Sequence, residues 1–428
     1  MRHSFSNIPY QQVAGTSFHH NVLLICMVFL ILVGSDLLSV VLYRNNLANR
    51  IEILTLLPIL ATVALYYRHL LRGAFASPEI ALMIIIAILS ASWSDYRLLT
   101  MERTVPLAAT TLFGLTLGSM MSMRGLALFV ALYFALSMAL SLAAIGALPQ
   151  ARGLPPWENS WNGIYLHKNE LGANSVMAIL SSFFAMKITT GRLRMFFQIT
   201  AGVAVVLLIA SDSRTAQIIG LFVISGFLIT KIMPRLEFLW ALGFILFSAF
   251  VIGMGTLILA SDIAEPLFAM IGRQPTLSNR IPIWELTWPY AMDRFWLGYG
   301  YAGYWHDAAP HMRIYENQYQ LGFTPYYSHN GLIETWLNIG FVGVVLLFLA
   351  FFRFFSSVFY CMRHLKPRDD FVLVFALSVG FIFLNITESN VMGRLDGMWI
   401  LLVMYMTKTN LVAKALVADF RLRSASLA

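Results

Sequence analysis

Twelve apolar runs, most of them long enough to cross a bilayer, are strung along this chain with mainly short polar gaps between them, and that alternation confines it to a membrane. The runs lie at about 22–43, 51–67, 79–93, 104–121, 125–148, 170–188, 195–210, 215–233, 236–260, 331–354, 371–388 and 393–408. In lipid every backbone polar group needs a partner within the protein, and a single run supplies them all by becoming a helix. One interval breaks the pattern. Between runs nine and ten, Ser261 to Asn330 is polar and carries Arg273, Arg280, Arg294, Arg313 and His329. The expectation is an all-α polytopic membrane protein of about twelve transmembrane helices. Residues 1–428 form one transmembrane domain, with 261–330 inserted between helices 9 and 10 as a large catalytic loop. The shortest runs, 79–93 and 195–210, are candidates for tilted or partly re-entrant segments.

Composition excludes a soluble globule: hydrophobic residues make up 59% of the chain, charged residues 12%, and mean hydropathy is +0.72. The net charge of +8 does not point to nucleic acid, because most Lys and Arg sit in short gaps and no basic, aromatic-interleaved surface accompanies them. Their distribution instead sets orientation. With the N-terminus inside, the inner gaps collect the larger share of the 29 Lys and Arg, so both termini read as cytoplasmic and the long loop as extracytoplasmic. The first run has no small-residue cleavage site at its end and reads as a retained anchor. Cys26 and Cys361 fall in the first run and in a basic inner gap, so no disulfide framework holds the loop.

Outer cations run against the topological bias, which makes them informative. Arg214 lies in Ser211-Asp212-Ser213-Arg214-Thr215, wedged between two apolar runs. It is either a short rigid mount for a phosphate-binding guanidinium or half of an Asp212–Arg214 turn that joins two helices. His167-Lys168-Asn169 precedes helix six, where free helix N–H groups attract anions. His167 is either functional or an interfacial ring, Asn169 is a candidate N-cap, and Gly172 suits close packing in the first turn. Leu277 to Trp288 reads as an aromatic-rich amphipathic helix lying at the membrane surface and running to Trp296, with Arg280 at its start facing lipid phosphate or a substrate phosphate. Gly298-Tyr299-Gly300-Tyr301-Ala302-Gly303 matches a dinucleotide fingerprint only as a string, since no strand precedes it. With Trp305 it reads as a turn packed on the membrane face or on sugar rings.

His329 is the sharpest single candidate. It stands in Ser328-His329-Asn330-Gly331 at the entry to helix ten, where a neutral imidazole can take a proton and Asn330 can orient it. Asp-x-Asp, His-Glu-x-x-His, Gly-x-Ser-x-Gly and Walker patterns are all missing from the chain. What remains is a reaction that uses Arg and His on phosphate, with no cofactor and no metal. Glu388, Asn390, Arg394 and Asp396 form a helix-end cluster, read here as structural more than as part of a substrate cavity. A transporter or lipid flippase is the competing class. It would show ionisable residues in mid-membrane and related halves, whereas Asp36 is the main acidic residue inside a span and the polar groups gather at one face.

Taken as an ordered set, Trp161 to Gly172, Ser213-Arg214, Asn279 to Trp284, Leu297 to Gly300 and Ser328-His329-Asn330 resemble the O-antigen ligase and polymerase superfamily, closest to exopolysaccharide polymerases of the succinoglycan type. That resemblance implies a GT-C-like membrane fold and metal-independent, inverting glycosyl transfer at the outer face of a bacterial inner membrane. The implied donor is a glycan on undecaprenyl pyrophosphate, and the implied partners extend to a chain-length regulator and export machinery. Arg214 and Arg280 sit where the family places pyrophosphate-binding arginines, and His329 where it places its essential histidine. Lys168, Asn169, His167, Asn330 and Tyr299 are the expected substrate-binding residues. The Lys168-Asn169 pair favours a polymerase over a ligase that delivers glycan to a lipid core or protein.

Overall fold

The computed structural model describes residues 20–42, 47–153, 160–232, 280–306, 309, 312, 325–365 and 369–426, and among these the regular structure is all helix, joined by turns and irregular segments. In order the helices are α1 (His20–Gly34), α2 (Leu37–Val41), α3 (Leu47–Leu65), α4 (Tyr67–Ala76), α5 (Pro78–Leu89), α6 (Arg97–Met120), α7 (Met123–Ala147), α8 (Lys168–Ile188), α9 (Gly191–Ala210) and α10 (Arg214–Ile232). They continue as α11 (Arg280–Asp293), α12 (Gly331–His364), α13 (Asp369–Leu384) and α14 (Gly397–Ala425). Five of them, α7, α8, α9, α12 and α14, are long and apolar enough to cross a membrane. The protein is a polytopic helical membrane protein. The run at 236–260 and residues 261–279 of the long loop lie outside the described residues.

Several apolar runs are not simple rods. The first is interrupted at Ser35-Asp36, which divides α1 from α2. The second continues past its apolar end into α4, which turns by 84° from α3. Arg68, His69 and Arg72 make α4 too polar to prolong the run in line, and its Gly73 packs against the Leu115 carbonyl of α6. The last run begins at Gly397 and reaches Ala425, later at both ends than hydropathy placed it.

Small residues set the closest helix contacts, as expected where lipid gives apolar surfaces no other reason to associate. A Cβ on Gly114 or Gly118 of α6 would meet the Ile400 or Met404 carbonyl of α14 at 3.1 and 2.5 Å. The fully buried Trp399 of α14 donates its indole N–H to Thr111 Oγ1 at 2.9 Å, which fixes the register of that pair. Gly172 of α8 lies against Ser213 and Ala216, in the first-turn close packing the sequence suggested.

The long loop is tied to the bundle through a break in α12. Ile339 and Gly340 leave helical geometry, and the segment 295–299 fills the gap: Phe341 N–H donates to the Phe295 carbonyl at 2.8 Å, and Tyr299 N–H donates to the Leu337 carbonyl at 2.7 Å. Backbone groups the break frees thus find partners in the loop, Val342 N–H on the Trp296 carbonyl at 3.3 Å being a third. Only glycine is tolerated at the crossing. Gly340 has φ +71° and its Cβ would collide with the Trp296 carbonyl, while Gly298 has φ +65° and faces the Leu337 carbonyl.

Candidate active site

Glu388 is the centre of a polar cluster at one end of the bundle. It is 8% exposed. The apolar run that contains it stops being helical at Leu384, because Asn385 turns the chain and its Oδ1 accepts the N–H groups of Asn390 and Val391, both at 2.9 Å. That turn is clamped to the start of α12: Gly331 N–H donates to the Asn385 carbonyl, Asn330 Nδ2 to the Ile386 carbonyl, and Asn330 N–H to Ser389 Oγ. The fixed turn delivers the Glu388 carboxylate to three side chains. Arg280 donates from a guanidinium nitrogen to Oε1 at 2.6 Å, Asn169 Nδ2 donates to Oε1 at 2.8 Å, and His329 Nδ1 lies 3.4 Å from Oε2. Glu388 does form a salt bridge at a helix end, with Arg280 as its charged partner and His329 beside it.

Each of the three partners has its own mount. Arg280 opens α11 and is 7% exposed, so it is buried against a carboxylate rather than spread toward lipid headgroups. Helix α11 packs on α12 through Ile283, Thr287 and Ala291, one buried face at a spacing of four. His329 occupies left-handed backbone at φ +52°, unusual for a residue with a side chain and a recurrent mark of functional positions. Its neighbour Ser328 is held on both sides: Trp284 Nε1 donates to its carbonyl and its N–H donates to Glu334 Oε2, both at 2.8 Å. Glu334, which also accepts from Trp305 Nε1 at 3.1 Å, is a buried carboxylate the sequence reading passed over.

Asn169 extends the network. Its amide oxygen accepts from Ser213 Oγ at 3.0 Å while its nitrogen holds Glu388, so both ends of the amide are engaged. Arg214, the next residue, begins α10, is exposed, and among the described residues pairs with no carboxylate. Of the two alternatives for this turn, an Asp212–Arg214 pair is not what forms. Asp212 pairs with Lys168 at 3.3 Å, because Lys168 at the start of α8 reaches across to it, and that leaves Arg214 uncommitted. The N-cap of α8 also differs from expectation. His167 caps the helix, its Nδ1 accepting the Asn169 N–H at 3.2 Å, which frees the Asn169 amide for Glu388. Asn330 caps α12, its Oδ1 accepting the N–H groups of Leu332 and Ile333.

Tyr299 belongs to a different neighbourhood. Its hydroxyl donates to Asp293 at 3.3 Å, its ring lies 4.6 Å under the Arg294 guanidinium, and it packs edge-on against Tyr290 and Tyr304. Trp305 is likewise buried, so the Gly/Tyr turn is packing material for the loop.

The cluster settles its own charges. Burial alone would raise Glu388, yet the His329 hydrogen bond and the charge of Arg280 hold its carboxyl below the usual range. Burial lowers His167, with Glu388 opposing, so His167 is neutral around pH 7 and its Nδ1 stays an acceptor. With Glu388 on His329 Nδ1, the favoured tautomer carries its proton there and leaves Nε2 bare, able to receive a proton. The helices α8, α10, α11 and α12 all begin around this centre, and their N-terminal dipoles add positive potential to that of the arginines.

Residues 199–348 match the family model described as O-Antigen ligase. The match spans Arg214, Arg280 and His329 and ends before Glu388. No curated protein matches the chain.

Proposed function

Because this chain carries that domain and so belongs to the O-antigen ligase/polymerase superfamily, membrane proteins that transfer glycans, we propose that it is a polysaccharide polymerase. In this reading it moves glycan from an undecaprenyl-pyrophosphate donor to a lipid-linked repeat-unit acceptor at the outer face of a bacterial inner membrane. The observation that carries the proposal is the placement of Arg280 and His329 on one carboxylate, Glu388, at 2.6 and 3.4 Å.

The chemistry follows from that placement. His329 Nε2 takes the proton of an acceptor hydroxyl as the oxygen attacks the anomeric carbon. The bond from that carbon to the pyrophosphate oxygen breaks, and the lipid pyrophosphate leaves with the electron pair. Displacement from the opposite face inverts the anomeric centre. Glu388 fixes the tautomer of His329 and stabilises the imidazolium that forms, as a carboxylate does behind any histidine base. Charge growing on the leaving pyrophosphate is met by guanidinium groups and helix N-termini. A guanidinium has five N–H donors, so Arg280 can hold Glu388 and still offer N–H groups to phosphate, while exposed Arg214 commits its whole fork. Lys168, shared with Asp212, contributes less.

The test is incubation of purified protein with a lipid-linked oligosaccharide alone. Laddered products support polymerisation. Products that form only when a second acceptor is added place the protein among the ligases, and no transfer with either overturns the reading.

A further inference from the structure

Beside the Glu388 centre lies a second polar cavity, of about 170 Å³, that the transfer chemistry above does not use. It is built by the residues that adjoin that centre: Glu170 follows Asn169 on α8, and Asn390 stands two positions beyond Glu388. Three carboxylates line it, Asp36 at the break between α1 and α2, Glu170, and Asp396 at the head of α14; Asn390 and Arg394 supply donors. Its floor is rigid. Gly34 and Gly397 are in backbone contact there, a Cβ on Gly34 coming within 2.7 Å of Gly397 Cα, and Tyr133 Oη donates to the Gly34 carbonyl at 3.1 Å.

The lining is not satisfied by its own hydrogen bonds. Tyr165, another wall of the cavity, is 2% exposed and its hydroxyl has no partner at bonding geometry; nearby Ser137 already donates to the Tyr133 carbonyl. Glu170 shares a carboxyl-to-carboxyl contact with Asp36, and its buried Oε2 receives no N–H or alcohol O–H among the described residues. Buried polar atoms of this kind are ordinarily paired, so these two mark a place where hydroxyl groups from outside complete the network. Such groups come from water or from a ligand rich in O–H.

We propose that this cavity is a subsite for one neutral sugar residue of the glycan, held through its hydroxyls by Asp36, Glu170 and Tyr165. The inference rests on the reading that the protein handles glycans at this end of the bundle. Carboxylates accept sugar hydroxyls, and the asparagine and arginine nitrogens donate to sugar oxygens, so the donor and acceptor pattern of the walls is complementary to a pyranose. Phosphate and uronic acids are disfavoured, because the walls bring together three acidic side chains and a single arginine, so an added anion meets more acid than base. Among the described residues no three His, Cys, Asp or Glu side chains converge closely enough to hold a metal ion, which argues against a cation as the occupant. The position alongside Asn169 and Glu388 sets a bound sugar next to His329, where a neighbouring residue of the glycan would present its reacting group.

The experiment reads binding without turnover. Full-length protein in lipid nanodiscs is titrated with methyl glucoside, methyl galactoside and methyl glucuronide, followed by saturation-transfer NMR. A neutral glycoside binds, and the glucuronide binds more weakly by about tenfold or more, the weight of one adverse charge. Glu170→Gln and Tyr165→Phe each lower affinity for the neutral glycoside by a few-fold to about tenfold, as expected for the loss of one hydrogen bond. His329→Ala leaves the binding unchanged while it stops transfer, so a failure of the glycosyltransfer reading is seen separately from a failure of the subsite. The inference falls if neither neutral glycoside binds, if the glucuronide binds as tightly as they do, or if Tyr165→Phe and Glu170→Gln, each with a wild-type thermal midpoint, bind like the parent.

Discussion

Asn169 and Glu170 are neighbours in the first turn of α8, yet their side chains enter polar surroundings of opposite character. Asn169 joins a network whose charges are matched: Glu388 has Arg280 at 2.6 Å and His329 at 3.4 Å, and every end of the Asn169 amide is used. Glu170 enters a cavity where carboxylates gather and buried polar atoms go unpaired. The two carboxylates just outside the helices report the same contrast. Glu388 is held below its usual range, whereas burial raises Asp396 to about 7. Matched charge is complete within the protein, whereas unmatched polarity leaves hydrogen-bonding capacity for something else to use. On the two proposals above, helix α8 separates the transfer centre from the sugar subsite with one residue step.

The largest effect on this contrast comes from the matched side. His329→Ala removes the proposed base, and product formation should fall by about 10²–10⁴ in single-turnover assays, with membrane abundance unchanged. Long polymer made at the normal rate by that variant would remove His329 from the mechanism. Glu388→Ala strips the partner from a buried guanidinium and should cost about 3–5 kcal/mol in addition to activity, read as a lower unfolding midpoint in detergent. Glu388→Gln keeps the shape and isolates the charge. Because the folded-state pKa of Glu388 is depressed, its contribution is present above the unfolded value near 4.5 and is lost as pH falls through the folded one. The stability gap between wild type and Glu388→Gln should therefore hold from neutral pH down to about 4.5 and close below it. A gap that widens on acidification would show the carboxyl is not the charged partner of Arg280.

A lysine in place of either arginine tests how the guanidinium forks divide their work. Arg280→Lys and Arg214→Lys should each lose most activity, since a point charge does not reproduce a planar fork. The structure separates them in stability. Arg280 is buried on Glu388, so its lysine variant should unfold more easily by about 1–3 kcal/mol, while exposed Arg214 should tolerate lysine within about 0.5 kcal/mol. Equal losses of stability in the two would mean that Arg214 has a buried partner in the folded protein.

Much of this was legible before any coordinates. Polar residues at helix ends are costly in lipid, and so Arg280, His329 and the His167–Asn169 segment stood out by position alone. Hydropathy misled where a tertiary partner decides. The run at 371–388 looks like one span ending on Glu388, but Asn385 caps a turn three residues earlier and makes Glu388 the hub. Gly340 sits in an apolar run that reads as unbroken helix, and only the docking of 295–299 reveals the break. His167 and Asn169 are both able to cap a helix, and nothing in their order says which one does. Asp36 looked like a lone mid-span carboxylate because the gap between α1 and α2 leaves no mark in the hydropathy.

The smallest effect, and the one that best isolates the unmatched side, is the pH dependence of Asp396. Its Oδ1 caps α14 by accepting the Trp399 N–H at 2.8 Å, and asparagine caps a helix about as well, so Asp396→Asn removes charge with little change in capping. Burial, with the Asp36 charge adding to it, raises the Asp396 carboxyl from 3.8 to about 7. The folded state then binds the proton more tightly than the unfolded chain does. Stability from this group is present below pH 4 and is lost as pH climbs toward 7, the reverse of Glu388. Its partial exposure reduces the effect to roughly 1–2 kcal/mol across that window. Wild-type protein should lose that much relative to Asp396→Asn between pH 4 and pH 7, measured as the difference in their unfolding midpoints. If the difference is flat, Asp396 is hydrated and ordinary, and the unmatched side of α8 narrows to Asp36, Glu170 and Tyr165. If it is larger in the presence of a neutral glycoside, the bound sugar has displaced the water that was screening the carboxylate.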